Sequence, residues 1–158
     1  MLKLYKSIDS VLYYHEAWTE EKHVVEHWGK IGDRGVSKEH ALPKNFDEDE
    51  ILNTTLASAV EAGFTPFDDD EMRVLLVEYA VVGMGSKADL KKRHSLEDRL
   101  NDLLGWTGLG NCDGGSIGSG SMEVCCYVVD FDIAKAAIES ELAGTKFADY
   151  SRIYDEDA

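Results

Sequence analysis

A tight turn between two alternating segments places the strongest constraint on how this chain can fold. Gly32-Asp33-Arg34-Gly35 supplies two glycines, and glycine readily adopts the positive φ angles that short hairpin turns need. Residues 22–31 before the turn and 36–42 after it have the length and composition of strands. The sequence therefore predicts an antiparallel hairpin, preceded over residues 2–14 by one strand or two short ones.

A capped amphipathic helix is predicted after the returning strand. Asp47 is a good N-cap, and Glu50 stands three residues later, which is the capping-box spacing. Residues at helical spacing form one apolar face, namely Leu52, Leu56, Ala59, Val60 and Gly63. Residues 1–63 are thus predicted to form an antiparallel sheet covered by one helix.

The polar stretch at 65–70 divides the chain, so we expect two domains, 1–67 and 68–158. The second half has a different pattern, and its predicted elements are a buried strand at 72–82, a helix at 88–104, a glycine-rich loop at 105–121, a buried strand at 122–129, a helix from Asp130 or Asp132 to Leu142, and a last strand at 147–154. This order predicts an α+β fold whose second domain is a ferredoxin-like β-α-β-α-β layer.

The charge distribution argues against a general nucleic-acid binder. The net charge is −15, with 7 Lys and Arg against 15 Asp and Glu in residues 1–70 and 9 against 16 in the rest. Affinity for nucleic acid depends on neutralising phosphates, which this balance disfavours. An acidic surface would steer a basic partner towards the protein, or simply keep the protein solvated. Residues 22–44 are a local exception, with five cations against three acids.

Cysteine usage and hydropathy indicate a cytoplasmic protein that is not associated with a membrane. The three cysteines form no CxxC motif, and an odd number without a framework is typical of a reducing compartment. The first residues lack the apolar core of a signal peptide. No apolar run approaches the roughly 20 residues that span a bilayer.

The run from Trp28 to Gly35 resembles the signature of the WGR domain, and the resemblance covers about residues 1–64. WGR domains occur in poly(ADP-ribose) polymerases, where they help to engage DNA ends. The resemblance implies that Trp28 is a stacking platform and that Lys30 is the basic contact. Arg34, a cation of the local basic segment, is a further candidate binding residue. Lys30 stands where the family has arginine, so the planar bidentate fork is lost. Trp28 could instead be an aromatic residue of the sheet core.

The glycine-rich segment at 105–121 is the second candidate site, with Trp106, Cys112 and Asp113 as its candidate binding residues. Such loops let backbone N–H groups approach a phosphate closely. The segment has no lysine, however, so it does not match a P-loop, and Trp106 could equally close the end of a core. The second half also resembles uncharacterised bacterial proteins of unknown function.

No catalytic or metal-binding constellation emerges from the sequence. No pattern places His94 beside Cys112 as a base. His23 and His27 would stand about 13 Å apart on one strand, too far for one ion. We therefore expect a non-catalytic protein without a cofactor that binds another protein, with an immunity or antitoxin-type protein as one example of this class. The alternatives are nucleic-acid-end binding and a small-ligand or enzymatic site in the glycine-rich loop.

Overall fold

Two antiparallel four-stranded sheets and four helices make up the chain, as described for Met1–Ala158 by a computed structural model. The predicted α+β class is confirmed. The chain divides into two compact units, Met1–Asp69 and Asp70–Ala158. A single 3-10 turn, Asp69–Glu71, lies where the two units meet along the sequence. None of the helices combines the length and the apolar character needed to cross a membrane.

The first unit is built on a meander in which each strand pairs with the next one along the chain. Its strands are β1 (Leu2–Ile8), β2 (Val11–Thr19), β3 (His23–Lys30) and β4 (Val36–Ala41), in the order β1-β2-β3-β4. The segment predicted as one strand or two is therefore two strands. They are joined at Asp9 and Ser10, which both have positive φ angles, 51° and 66°.

Two short helices, rather than the single predicted helix, cover part of this sheet. They are α1 (Glu48–Thr55) and α2 (Ala57–Glu61). Leu56 separates them with φ −97° and ψ 8°, directly after two threonines, which have low helix propensity. Leu52, Leu56 and Ala59 are buried as predicted, whereas Val60 is 55% exposed and does not belong to the buried face.

The second unit contains one strand more than the sequence predicted. Its elements are β5 (Arg73–Ala80), α3 (Lys87–Trp106), β6 (Gly110–Gly118), β7 (Ser121–Val128), α4 (Phe131–Leu142) and β8 (Arg152–Asp155). The order along the chain is β-α-β-β-α-β, and the strand order in the sheet is β6-β7-β5-β8 with every neighbour antiparallel.

The segment predicted as a glycine-rich loop is mostly strand β6, and two of its glycines are explained by close backbone approach. Side chains at Gly110 and Gly115 would overlap the backbone carbonyls of Tyr127 and Glu123 on β7. A bulge after Cys112 interrupts the pairing. Gly110 and Gly115 therefore allow β6 to pair closely with β7.

The last strand is shorter than predicted, because residues 147–151 do not continue it. Phe147 is 3% exposed, so it belongs to the core, and its carbonyl accepts a 2.7 Å hydrogen bond from the Tyr79 hydroxyl.

Both long helices of the second unit begin at a capping side chain. Ser86 and Asp89 form a capping box at the start of α3, and the Asp130 side chain caps α4.

Candidate functional site

The first sheet has one face that the helices cover only in part. Leu4, Ala17 and Val24 lie on this face and pack against α1 and α2. The strand register places further residues on the same face, outside that cluster, namely Tyr13, His15, Trp28, Lys30, Val36 and Lys38. We refer to these six residues as the Trp28 face.

The Trp28 ring is held by its neighbours and remains partly accessible. His15 stands directly opposite it on β2, with ring centroids 5.5 Å apart and an interplanar angle of 34°. His15 is itself supported by Phe64, 5.7 Å away in an edge-on arrangement. On the other side of Trp28, its cross-strand partner Val36 on β4 is 57% exposed. Trp28 is half-buried, so the indole is ordered but still presents surface.

A carboxylate shared by two histidines lies on the same side of the sheet, where Glu26 stands opposite Lys38 on β4. The two oxygens of Glu26 lie 2.8 Å from Nε2 of His15 and 2.8 Å from Nε2 of His40. Burial alone would raise the pKa of Glu26, but the hydrogen bonds with the two histidines outweigh it and lower the pKa. Both oxygens of the Glu26 carboxylate are thus already hydrogen-bonded within the sheet.

The lysines of the Trp28 face are unpaired. Lys30 and Lys38 are exposed, and neither forms an ion pair within 4.0 Å. Lys6, on the same side of the sheet, donates to the carbonyl of Ala62 instead. The face therefore carries local positive charge on a chain whose net charge is −15.

The opposite face holds a buried polar network that anchors the turn after β3. His27 and Glu16 are 1% and 2% exposed, and Nδ1 of His27 lies 2.8 Å from Oε1 of Glu16. The other oxygen of Glu16 lies 3.2 Å from Nζ of Lys3. The Tyr14 hydroxyl donates to the carbonyl of Asp33 at 2.7 Å. These bonds hold the turn against the sheet.

The close packing of the turn against the sheet requires glycine at positions 29 and 35. A Cβ at Gly29 would lie 2.9 Å from the Cα of Gly35 and 3.0 Å from the Tyr14 hydroxyl. Gly35 has a φ of +67°, which disfavours other residues. Because side chains alternate along a strand, the neighbours of Gly29, Trp28 and Lys30, lie on the face away from the turn.

No protein-family model, no characterised protein and no solved structure matches this chain. Its function is therefore inferred from its own residues.

The structure brings together two of the candidate residues predicted from the sequence. Trp28 and Lys30 share the Trp28 face, whereas Arg34 lies exposed in the turn, where its backbone carbonyl accepts from Nε2 of His27. The sequence placed the glycines of this hairpin correctly but did not predict its anchors. The buried network around Glu16 gives only a weak signal, a charged residue within an otherwise aromatic and apolar strand.

The three candidates of the second unit lie on different elements. Trp106 is the last residue of α3 and is 36% exposed. Asp113 is exposed at the bulge of β6. Cys112 is half-buried on β6, where its N–H donates to Oδ1 of Asn101 at 3.1 Å, and it stands opposite Cys126 on β7. No group of three or more His, Cys, Asp or Glu side chains is placed to hold a metal ion.

Proposed function

We propose that this chain is a non-catalytic recognition module that binds another protein through the Trp28 face. The observation that carries the proposal is a partly exposed indole, packed against His15, with the unpaired Lys30 on the same face of a sheet that the helices cover only in part. Tryptophan is enriched among the residues that dominate binding energy, because it buries a large area at low entropic cost.

The arrangement of apolar and charged side chains on the Trp28 face favours a protein partner. Trp28 and Val36 are cross-strand neighbours and form an apolar centre, with Lys30 and Lys38 as exposed cations around it. An apolar centre with a polar rim is the usual organisation of a protein interface. The partner that fits is a segment carrying an apolar side chain between carboxylates.

The charge of the face differs from that of the whole chain. The net charge alone predicts a basic partner, but it describes the full surface. At the Trp28 face, Lys30 and Lys38 are unpaired, while the carboxylate of Glu26 is engaged by two histidines. We therefore expect the acidic remainder of the protein to affect the association rate, and the Trp28 face to select an acidic segment.

Two fold assignments accompany this proposal. The first unit is WGR-like, which is supported by its Trp-Gly-Lys hairpin, its meander and its covering helices. The second unit is ferredoxin-like, which is supported by its β-α-β-β-α-β order and its strand order β6-β7-β5-β8. Neither fold specifies a function by itself.

The test begins with a photo-cross-linking amino acid at Val36, which is exposed at the centre of the face. A cross-linked protein from the source cell is identified, purified and titrated against the wild-type chain and the variants Trp28→Ala and Lys30→Glu. We expect each variant to bind about tenfold more weakly or worse, as for residues central to an interface.

The matched control is Lys44→Glu, which makes the same charge change at an exposed loop position of the same unit. It should bind as the wild type does, with circular dichroism verifying that all variants are folded. Equal affinity of the wild type, Trp28→Ala and Lys30→Glu would exclude this face, and so would the lack of any cross-linked protein.

A nucleic-acid end is the second candidate ligand, because a partly exposed indole can stack on a terminal base while Lys30 and Lys38 meet phosphates. Two phosphate contacts would give a slope of about −1.8 for log K against log salt concentration on duplex DNA. Fluorescence polarisation with blunt and nicked duplexes at low and moderate salt measures this slope. Absence of binding at low salt eliminates the candidate.

A further inference from the structure

We propose that Cys112 and Cys126 close into a reversible cross-strand disulfide, which makes the second unit a site of oxidation by disulfides of the glutathione class. This inference does not depend on the proposed binding function. It starts from the pairing of β6 and β7, in which these two cysteines are direct partners.

The pairing places the two residues within reach of a disulfide. Opposite residues in antiparallel strands have Cα atoms about 4.5 or 5.5 Å apart, depending on the type of pair. Both separations fall within the approximate 4.4–6.8 Å range of Cα distances found in disulfides. Cross-strand partners project their side chains to the same side of a sheet, so Cys112 and Cys126 share one face. The neighbouring Cys112 thiol and burial both raise the pKa of Cys126.

The two cysteines have different accessibility, which assigns them different roles. Cys112 is half-buried on β6, an edge strand of the sheet, so it is the more accessible of the two and the one that a small disulfide would meet first. Cys126 is buried and can react only with a group that is already beside it. Cys125 lies on the opposite face of β7, because adjacent side chains in a strand alternate, and it cannot reach either partner.

The reaction consists of two thiol–disulfide exchanges. The Cys112 thiolate attacks one sulfur of glutathione disulfide, whose S–S bond breaks and releases one glutathione thiolate. The Cys126 thiolate then attacks the Cys112 sulfur and releases the second glutathione. Both protein protons end on the glutathione thiols, and the two electrons lost by the protein reduce glutathione disulfide. Since the pKa of Cys126 is raised, we expect the second exchange to be the slow step.

Serine variants give each possible pair its own test, because each leaves only two cysteines. The folded protein is incubated with excess oxidised glutathione, free thiols are alkylated, and the intact mass is measured. The wild type and Cys125→Ser should lose two hydrogen atoms and regain them with dithiothreitol. Cys112→Ser and Cys126→Ser should not lose them. Cleavage after Glu123 without reduction should leave the Cys112 peptide linked to the Cys126 peptide in Cys125→Ser.

Several outcomes would overturn the proposal. These are a Cys125→Ser protein that stays reduced, a stable glutathione adduct on Cys112 as the end product, and a Cys112→Ser protein that still loses two hydrogens. If the buried substitution Cys126→Ser prevents folding, Cys112→Ser still provides the comparison, because position 112 is only half-buried. Near-ultraviolet circular dichroism of each variant verifies the native state before oxidation.

Discussion

Gly29 and Gly35 lie in direct backbone contact across the β3–β4 hairpin. A Cβ added at Gly29 would lie 2.9 Å from the Gly35 Cα, closer than real Cβ contacts are found. This contact lets the turn fold back onto one face of the sheet. The side chains on either side of Gly29 then belong to the other face, so the backbone contact determines where Trp28 and Lys30 lie.

Replacing Gly29 by alanine should destabilise the first unit. The added methyl group has to displace the Gly35 backbone or the Tyr14 hydroxyl, and the latter donates to the turn at Asp33. Overpacking of this kind costs about 1–3 kcal/mol. Urea unfolding followed by circular dichroism should show a lower midpoint for Gly29→Ala than for the wild type.

Gly105→Ala is the matched control for this substitution. Gly105 lies within helix α3, and a Cβ there would have no heavy atom within 4 Å. Alanine is better than glycine in a helix by about 0.5–1 kcal/mol, so this variant should be at least as stable as the wild type. A Gly29→Ala protein as stable as Gly105→Ala would contradict the close contact.

The elements that sequence reasoning predicted well are those specified by neighbouring residues. The glycines at 32 and 35 predicted the hairpin, and Asp47 predicted the start of α1, where its side chain accepts from the Glu50 N–H at 2.9 Å. Caps and tight turns depend on a few adjacent positions, so the sequence alone predicts them. Trp28 and Lys30 were candidates because the run around this turn resembles the WGR signature.

The elements that were missed depend on distant partners or on unusual residues. Strand β6 was predicted as a loop because its glycines suggest flexibility, yet Gly110 and Gly115 are needed where β7 passes close by. Asp9 and Ser10 form a turn without glycine, although both have positive φ. The Glu16–His27 contact joins two strands, and only their register brings these residues together.

Ser10→Gly should stabilise the protein. Ser10 has a φ of 66°, and the left-handed region costs a residue with a Cβ about 1 kcal/mol that glycine avoids. Ser95→Gly is the control, because the same exchange inside helix α3 should destabilise by about 0.5 kcal/mol. Thermal unfolding of the two variants should therefore shift in opposite directions. A shift to lower temperature in both would contradict the turn at Asp9 and Ser10.

Glu16→Ala should be among the most destabilising single substitutions in the first unit. It removes the carboxylate that pairs with His27 and Lys3 and leaves a buried imidazole without that partner. Breaking a buried pair in this way costs about 3–5 kcal/mol. Glu39→Ala on β4 removes an exposed carboxylate that lies 3.4 Å from His23, and it should change stability by less than about 1 kcal/mol. Equal denaturation midpoints for the two variants would contradict the network.

The shared carboxylate of Glu26 gives the protein a defined dependence on acid. Its pKa is lower in the folded chain than the usual value of 4.5, so the unfolded chain binds its proton first as the pH falls. Glu26 therefore contributes its full stabilisation at pH values above the usual pKa of 4.5. This stabilisation is lost as the pH falls through the lower pKa of the folded chain. Urea unfolding of the wild type at a series of pH values down to 3 should show this loss. Glu26→Gln should be less stable than the wild type at neutral pH and should show a flatter decline in acid, since the amide does not titrate. If the two declines run parallel, the bonds from His15 and His40 do not stabilise the ionised carboxylate.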